Sequence, residues 1–175
     1  MVWIVLLIIV VVIAAFLAFV AAKPNNFRLE RSTSINAGPE KIFPLINDFH
    51  NWTQWSPFEK IDPNLQRTYS GAESGRGAVY AYSGNNKVGS GRMEITESVP
   101  STRVLATLHF MKPFEAHNMA EFTLVPGVDA TVVSWAMYGP SPFISKLMMT
   151  FMSMDSLVGK QFDEGLANLK RVAEA

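Results

Sequence analysis

The sequence predicts an α+β domain joined to an N-terminal membrane-spanning helix, and three observations carry this prediction. Residues 1–22 are all apolar. Residues 65–138 alternate in the manner of strands, with turn residues between them and no helical segment, as in an antiparallel meander. Residues 147–172 place apolar side chains at every third or fourth position, which indicates a long amphipathic helix. A helix after a meander packs across the concave face of the sheet.

The N-terminal segment is long enough to cross a bilayer. Val2–Ala22 contains no charged residue, proline or glycine, and Lys23 and Pro24 end the apolar run. A membrane-spanning helix needs about 20 apolar residues, whereas a buried helix of a soluble protein shows a polar stripe. We therefore expect a single-pass anchor over residues 1–22.

A cleaved signal peptide is the alternative interpretation of this segment. Val20 and Ala22 are small enough for a cleavage site, but no basic n-region is present and the run is longer than a usual h-region. Basic residues follow the segment from Lys23 onward, so the positive-inside rule favours a cytoplasmic domain. We expect a linker over 23–26 and one domain over 27–175.

The domain begins with a half-buried strand and two short helices. Phe27–Asn36 alternates between apolar and polar residues, and Arg31 is the one polar misfit on the apolar face. Pro39 suits the first turn of the following helix, and a second short helix covers His50–Trp55.

Six more strands are expected from alternation and from the turn residues that flank each stretch. They cover Leu65–Ser70, Gly75–Ser83, Lys87–Glu97, Thr102–Met111, Phe114–Val125 and Ala130–Tyr138.

Composition excludes several classes of function. The 15 basic and 15 acidic residues balance to a net charge of zero, so nothing suggests a nucleic-acid partner. The chain has no cysteine, which excludes disulfide scaffolds, thiol catalysis and thiolate metal sites. No phosphate-binding loop or catalytic triad pattern occurs. We expect neither a cofactor nor a metal.

Two segments carry a resemblance to a known superfamily. They are Pro-Glu-Lys-Ile-Phe at residues 39–43 and Trp-Thr-Gln-Trp-Ser-Pro at residues 52–57. With the glycine pairs at 75–77 and 89–91 and the Phe162–Lys170 stretch, they resemble the START-like (SRPBCC) superfamily of polyketide cyclase/dehydrase and lipid-transport proteins. The resemblance covers about residues 27–172 and implies a helix-grip fold, in which seven antiparallel strands surround the C-terminal helix and leave an apolar cavity.

The superfamily does not imply one reaction, so function has to be argued from the site. The leading hypothesis is a membrane-anchored domain that binds a hydrophobic small molecule or lipid in the cavity. A polyketide cyclase/dehydrase-like enzyme is one alternative, with Tyr80, Tyr82 and His109 as the only candidate acid–base residues. A protein-interaction module of the heat-shock-ATPase-activator-like branch is the other, and it predicts a filled core.

Small-molecule sites are mostly apolar and aromatic, and methionine adapts to varied apolar partners. The same side chains also suit an ordinary packed core. The candidate ligand-binding residues are Trp52, Trp55, Phe58, Tyr80, Tyr82, Phe110, Phe122, Trp135, Met137, Met148, Phe151, Met152 and Phe162.

Three features leave alternatives open. Pro142–Met154 is apolar nearly all round, and it suits the buried start of the long helix, a mobile lid or a surface that dips into the bilayer. Glu115, His117 and Glu121 share a strand face that we expect to be solvated. Gly165 beside the apolar stripe fits either close packing on the sheet or space for a ligand.

Overall fold

Seven strands form a single antiparallel sheet in the order β1-β7-β6-β5-β4-β3-β2. We describe residues 1–175 from a computed structural model. The strands are β1 (Asn26–Ile35), β2 (Gln66–Gly71), β3 (Ala78–Ser83), β4 (Ser90–Val99), β5 (Arg103–Lys112), β6 (Ala116–Pro126) and β7 (Thr131–Pro140). Every predicted strand is present, and β1 pairs with β7 so that the first and last strands are neighbours.

Five helices accompany the sheet. They are α1 (Val2–Ala21), α2 (Pro39–Asn47), α3 (Trp52–Trp55), α4 (Phe143–Phe151) and α5 (Lys160–Glu174). Short 3-10 turns at Phe49–Asn51 and Pro57–Lys60 flank α3, and a π-helical turn at Asp155–Gly159 leads into α5.

The core lies between one face of the sheet and α5. Strand alternation points Leu29, Val133 and Phe122 into this layer, and α5 buries Phe162 and Leu169 against them. The sheet, the two short helices after β1 and the packed C-terminal helix confirm the predicted α+β helix-grip fold.

The prediction of one continuous C-terminal helix is wrong, because the chain breaks after Phe151. Met152 adopts an extended conformation, and α4 ends there. Ser153 and Ser156 then exchange hydrogen bonds, each backbone N–H donating to the other side chain. This reciprocal arrangement satisfies free N–H groups at a helix start, as a capping box does. A Ser-x-x-Ser capping signal therefore divides the apolar stripe into two helices.

The start of β6 also differs from the prediction. Phe114 lies in the turn before the strand and is 70% exposed, so it does not belong to the core face. The prediction included Phe114 because an apolar residue at this position continues the alternation of the strand. In the structure, residues 113–115 form the hairpin turn between β5 and β6.

Candidate ligand cavity

A cavity of about 260 Å³ lies between the sheet and the helical layer. Its walls come from α3 and the turn Pro57–Lys60 on one side, from β3 to β7, and from the π-helical turn and α5. Of the 20 residues that line it, 16 are hydrophobic. An apolar wall with few polar groups is the usual character of a small-molecule site.

The structure brings most of the predicted site residues to this cavity. Those that line it are Trp52, Phe58, Tyr80, Tyr82, Phe110, Trp135, Met137 and Phe162. Trp55 and Phe122 do not line it and instead pack behind Trp135 in the core. That these residues bind a ligand stays a prediction.

The remaining three predicted residues lie elsewhere. Met148, Phe151 and Met152 are exposed at or just beyond the C-terminal half of α4, and none of them lines the cavity. The prediction placed them on the same helix as Phe162, and the break after Phe151 separates them from it. The same exposure shows that Pro142–Met154 is not a buried helix start.

Sequence reasoning missed twelve lining residues. They are Ser56, Glu59, Ile61, Leu65, Lys87, Val88, Met93, Leu108, Ala120, Leu157, Val158 and Gln161. Met93, Leu108 and Ala120 share strand faces with the predicted residues, so alternation carried a usable signal for them. The loop residues and Gln161 carry no such signal, because only the tertiary fold brings them to the cavity.

Trp135 forms the centre of an aromatic wall. Its ring stacks on Phe162 with centroids 4.0 Å apart and on Phe122 at 5.1 Å, while Trp55 meets it edge-on at 5.6 Å. A Cβ added at Gly165 would lie 2.7 Å from Trp135 Cζ3. Close packing on the sheet therefore accounts for Gly165, and this resolves the alternative that the sequence left open.

Glu59 and Tyr80 form the polar side of the cavity, and Arg67 pairs with Glu59 from outside the wall. Glu59 is 7% exposed, accepts a hydrogen bond from Tyr80 Oη at 2.5 Å, and pairs with Arg67 Nε at 2.5 Å. Burial, followed by the hydrogen bond to Glu59, raises the pKa of Tyr80 far above its ordinary value. Tyr80 therefore stays neutral, and the charge of Glu59 is matched by Arg67.

Tyr82 contributes a second phenol to the wall. Burial alone raises the pKa of Tyr82 to about 12. Its ring end lies over Gly91 on β4, where an added Cβ would be 2.6 Å from Tyr82 Oη. A glycine at this register position therefore makes room for the phenol.

Two polar atoms that belong to lining residues have no hydrogen-bond partner. They are Nε1 of Trp135 and Oε1 of Gln161, and both atoms are buried. Trp135 as a whole is only 4% exposed. Buried polar groups in proteins are nearly always hydrogen-bonded, so each exception calls for an explanation.

Arg31 and the outer histidines lie away from the cavity. Arg31 lies on the apolar face of β1 and points toward the helical layer, where it pairs with Asp155 and, at 3.1 Å, with Asp163.

His109 and His117 stack on the outer side of the β5–β6 hairpin, with Glu115 Oε1 at 3.2 and 3.5 Å from their Nε2 atoms.

These three outer side chains could each offer a ligand atom to a metal. All three are partly or largely exposed, and surface carboxylate–imidazole pairs account for the arrangement. The expectation that the protein holds no metal stays a prediction. His109 does not reach the cavity, so it drops out as an acid–base candidate there.

An antiparallel sheet that grips a C-terminal helix and encloses an apolar cavity defines a helix-grip domain. The sequence profile of the family described as "Polyketide cyclase / dehydrase and lipid transport" matches residues 26–174. The chain belongs to this family, which lies within the START-like superfamily that the sequence resembles. No curated protein matches the sequence at a significant level.

Solved structures share the fold at low sequence identity. A protein from Thermobifida fusca is 21% identical with a TM-score of 0.61, and the alignment covers 83% of this chain and 92% of that one. A protein from Chromobacterium violaceum is 16% identical with a TM-score of 0.58, with 87% and 99% covered. DynU16, from the dynemicin biosynthetic locus, is 16% identical with a TM-score of 0.58, with 87% and 48% covered. At these identities the likeness extends to the fold alone.

Proposed function

We propose that this protein is a membrane-anchored START-like domain that binds a hydrophobic small molecule in the cavity between its sheet and C-terminal helix. The observation that carries the proposal is the cavity lining, in which 16 of 20 residues are hydrophobic. Burial of apolar surface gives roughly 25 cal/mol per Å², so such a wall favours an apolar ligand.

The volume of the cavity limits the size of this ligand. A volume of about 260 Å³ lies just below the usual range of ligand pockets, roughly 300–1,000 Å³. A compact apolar molecule or part of one acyl chain therefore fits, whereas a whole two-chain phospholipid exceeds the space.

The proposed anchor is α1. Val2–Ala21 is the one helix that is long and apolar enough to cross a membrane, and only Val20 in it is buried by the rest of the chain. A signal sequence passes the same test. The absence of a basic n-region and the length of the run favour the anchor.

Contacts between α1 and α4 support the membrane part of the proposal. Lys146 on α4 donates hydrogen bonds to the carbonyl oxygen of Ala21 at 3.0 Å and to Oδ1 of Asn25 at 2.7 Å. A cation at a helix C-terminus is favourable because it meets the negative end of the helix dipole. One turn further along α4, Phe151 packs against Phe16 with ring centroids 6.2 Å apart.

This packing supports a position for α4 beside the membrane. If α1 spans the bilayer, the C-terminal end of α1 lies at the membrane interface, and α4 lies beside it. The outer face of α4 exposes Ile144 at 65% and Phe151 at 75%. An amphipathic helix with exposed large apolar residues lies at the boundary between headgroups and acyl chains. Of the three alternatives for Pro142–Met154, the bilayer surface is therefore the one we propose.

Ligand occupancy can be tested with the full chain and one substitution that fills the cavity. Ala120 lines the cavity and is buried, so Ala120→Phe places a ring inside it. Ala167→Phe adds the same volume on the exposed side of α5 and serves as the control. We expect native mass spectrometry of the gently purified protein to show an apolar adduct that Ala120→Phe loses and Ala167→Phe keeps. An adduct that both variants retain would contradict the proposal.

An enzyme of the cyclase/dehydrase type is the second candidate. The observation that favours it is the Glu59–Tyr80 pair at the cavity wall. The raised pKa of Tyr80 makes its phenolate rare at neutral pH, so it serves better as a hydrogen-bond donor than as a base. The interaction-module alternative predicts a filled core, and the cavity counts against it.

A further inference from the structure

We infer that the cavity selects a neutral apolar molecule with a single hydroxyl or carbonyl group, which hydrogen-bonds to Trp135 and Gln161. This inference rests on the proposed function, because it names the chemical class of the ligand for the same cavity. It is carried by the two buried polar atoms without partners and by the charges around them.

Trp135 supplies the first half of the recognition. The indole N–H is a donor only, so its partner must be an acceptor. Trp135 lines the cavity, and its Nε1 is buried without an acceptor in the protein. The ring cannot turn away easily, because Phe162 and Phe122 hold its two faces.

Gln161 supplies the second half. Its Oε1 is also buried without a partner, and the residue lines the same cavity. A primary amide carries an acceptor oxygen and a donor nitrogen, so either end can meet a ligand. A hydroxyl can accept from an indole N–H and can donate to an amide oxygen, so it matches both groups. A carbonyl satisfies the indole N–H and, after rotation of the amide, its NH₂ group.

The charges around the cavity disfavour an ionic group in its apolar part. Glu59 is the only carboxylate in the wall, and Arg67 and Tyr80 already occupy it. Lys87 is exposed to solvent. An anion or cation that entered the apolar part would be buried without a partner, and this is strongly unfavourable. A neutral polar group on an apolar frame avoids that penalty.

Three naphthalenes of nearly equal size test this inference on the full chain in lipid nanodiscs. Naphthalene has no polar group, 2-naphthol adds one hydroxyl, and 2-naphthoate adds a charge. Calorimetric titrations, with empty nanodiscs subtracted, give an affinity for each. We expect 2-naphthol to bind about tenfold more tightly than naphthalene, the factor expected of one or two hydrogen bonds. We expect 2-naphthoate to bind more weakly than either.

Two variants test whether Trp135 and Gln161 cause the preference for 2-naphthol over naphthalene. Trp135→Phe removes the indole N–H and keeps an aromatic ring, and Gln161→Leu removes the amide at similar volume. Each should reduce the ratio of naphthol to naphthalene affinity about three- to tenfold, and the ratio cancels any general change in cavity size. Ala167→Phe, on the exposed side of α5, should leave the ratio unchanged.

The outcomes separate this inference from the proposed function. Equal affinity for naphthol and naphthalene, or a ratio unchanged in both variants, would overturn the inference while leaving an apolar ligand in place. A preference for naphthoate would overturn the neutrality of the ligand. If none of the three probes binds, the proposed function itself is wrong, and the inference falls with it.

Discussion

Among single residues, Gly165 sets how closely α5 approaches the sheet. We expect Gly165→Ala to destabilise the fold, although alanine favours a helix over glycine by about 1 kcal/mol. The new Cβ would lie 2.7 Å from the Trp135 ring and 3.2 Å from Pro57 Cδ, and overpacking of this kind costs about 1–3 kcal/mol. Thermal unfolding measures the net effect. Ala167→Gly on the exposed side of α5 reports the helix preference alone, and a higher midpoint for Gly165→Ala would contradict the argument.

Tyr82 gives the stability a dependence on pH. Burial raises its pKa to about 12 in the folded chain, against about 10 in an unfolded one. The folded state therefore holds this proton more tightly, and the resulting stability is complete below pH 10. It is lost as the pH rises from about 10 to 12, on the order of 3 kcal/mol in total.

The substitution Tyr82→Phe removes this titration. We expect its unfolding midpoint to fall less steeply between pH 9 and 11.5 than that of the unmodified chain. Tyr138→Phe changes a tyrosine outside the cavity, beside Arg28, and serves as the control. Parallel pH profiles for all three proteins would contradict the assignment of the titration to Tyr82.

At the scale of the element, α4 is the part of the domain that should touch lipid. The chain has no cysteine, so a single cysteine can be introduced and labelled without background. We expect an environment-sensitive fluorophore at Ile144→Cys to emit at shorter wavelength in nanodiscs and to be quenched by brominated lipids. The same fluorophore at Ala167→Cys should report water. Equal emission from both positions would place α4 away from the bilayer.

The helices also show where sequence reasoning reached its limit. The apolar stripe from Leu147 to Val172 correctly indicated amphipathic helix, but periodicity carries no information about a break. Ser153 and Ser156 carry that information as a capping signal, and the prediction of one continuous helix did not take it into account. Because of the break, Met148 and Phe151 lie on the outer surface of the domain and not at the cavity, where the prediction placed them.

At the scale of the whole molecule, local pattern was enough to predict the architecture. Alternation located every strand of the sheet, and the apolar N-terminal run and the C-terminal stripe located the helical segments at the two ends. The polar chemistry of the cavity was harder to foresee. Glu59 and Gln161 come from different segments, and neither stands in a motif. Only the tertiary fold shows that Glu59 is paired and that Gln161 is not.

For a chain anchored by α1, the basic residues beside the helix favour one orientation in the membrane. Lys23, Arg28 and Arg31 follow α1 within the next ten residues. Three cations at one end of an apolar helix favour the cytoplasmic side for that end.

We therefore expect Ala167→Cys to be protected from a membrane-impermeant maleimide in intact spheroplasts and to react once they are lysed. A cysteine at Val2, the first residue of α1, should react in both samples, because this orientation places the N-terminal end of α1 on the outer side. Reaction of Ala167→Cys in intact cells would place the domain outside. The mass of the purified chain distinguishes the remaining alternative, since cleavage after Ala22 would remove the segment that α4 packs against and release the domain from the membrane.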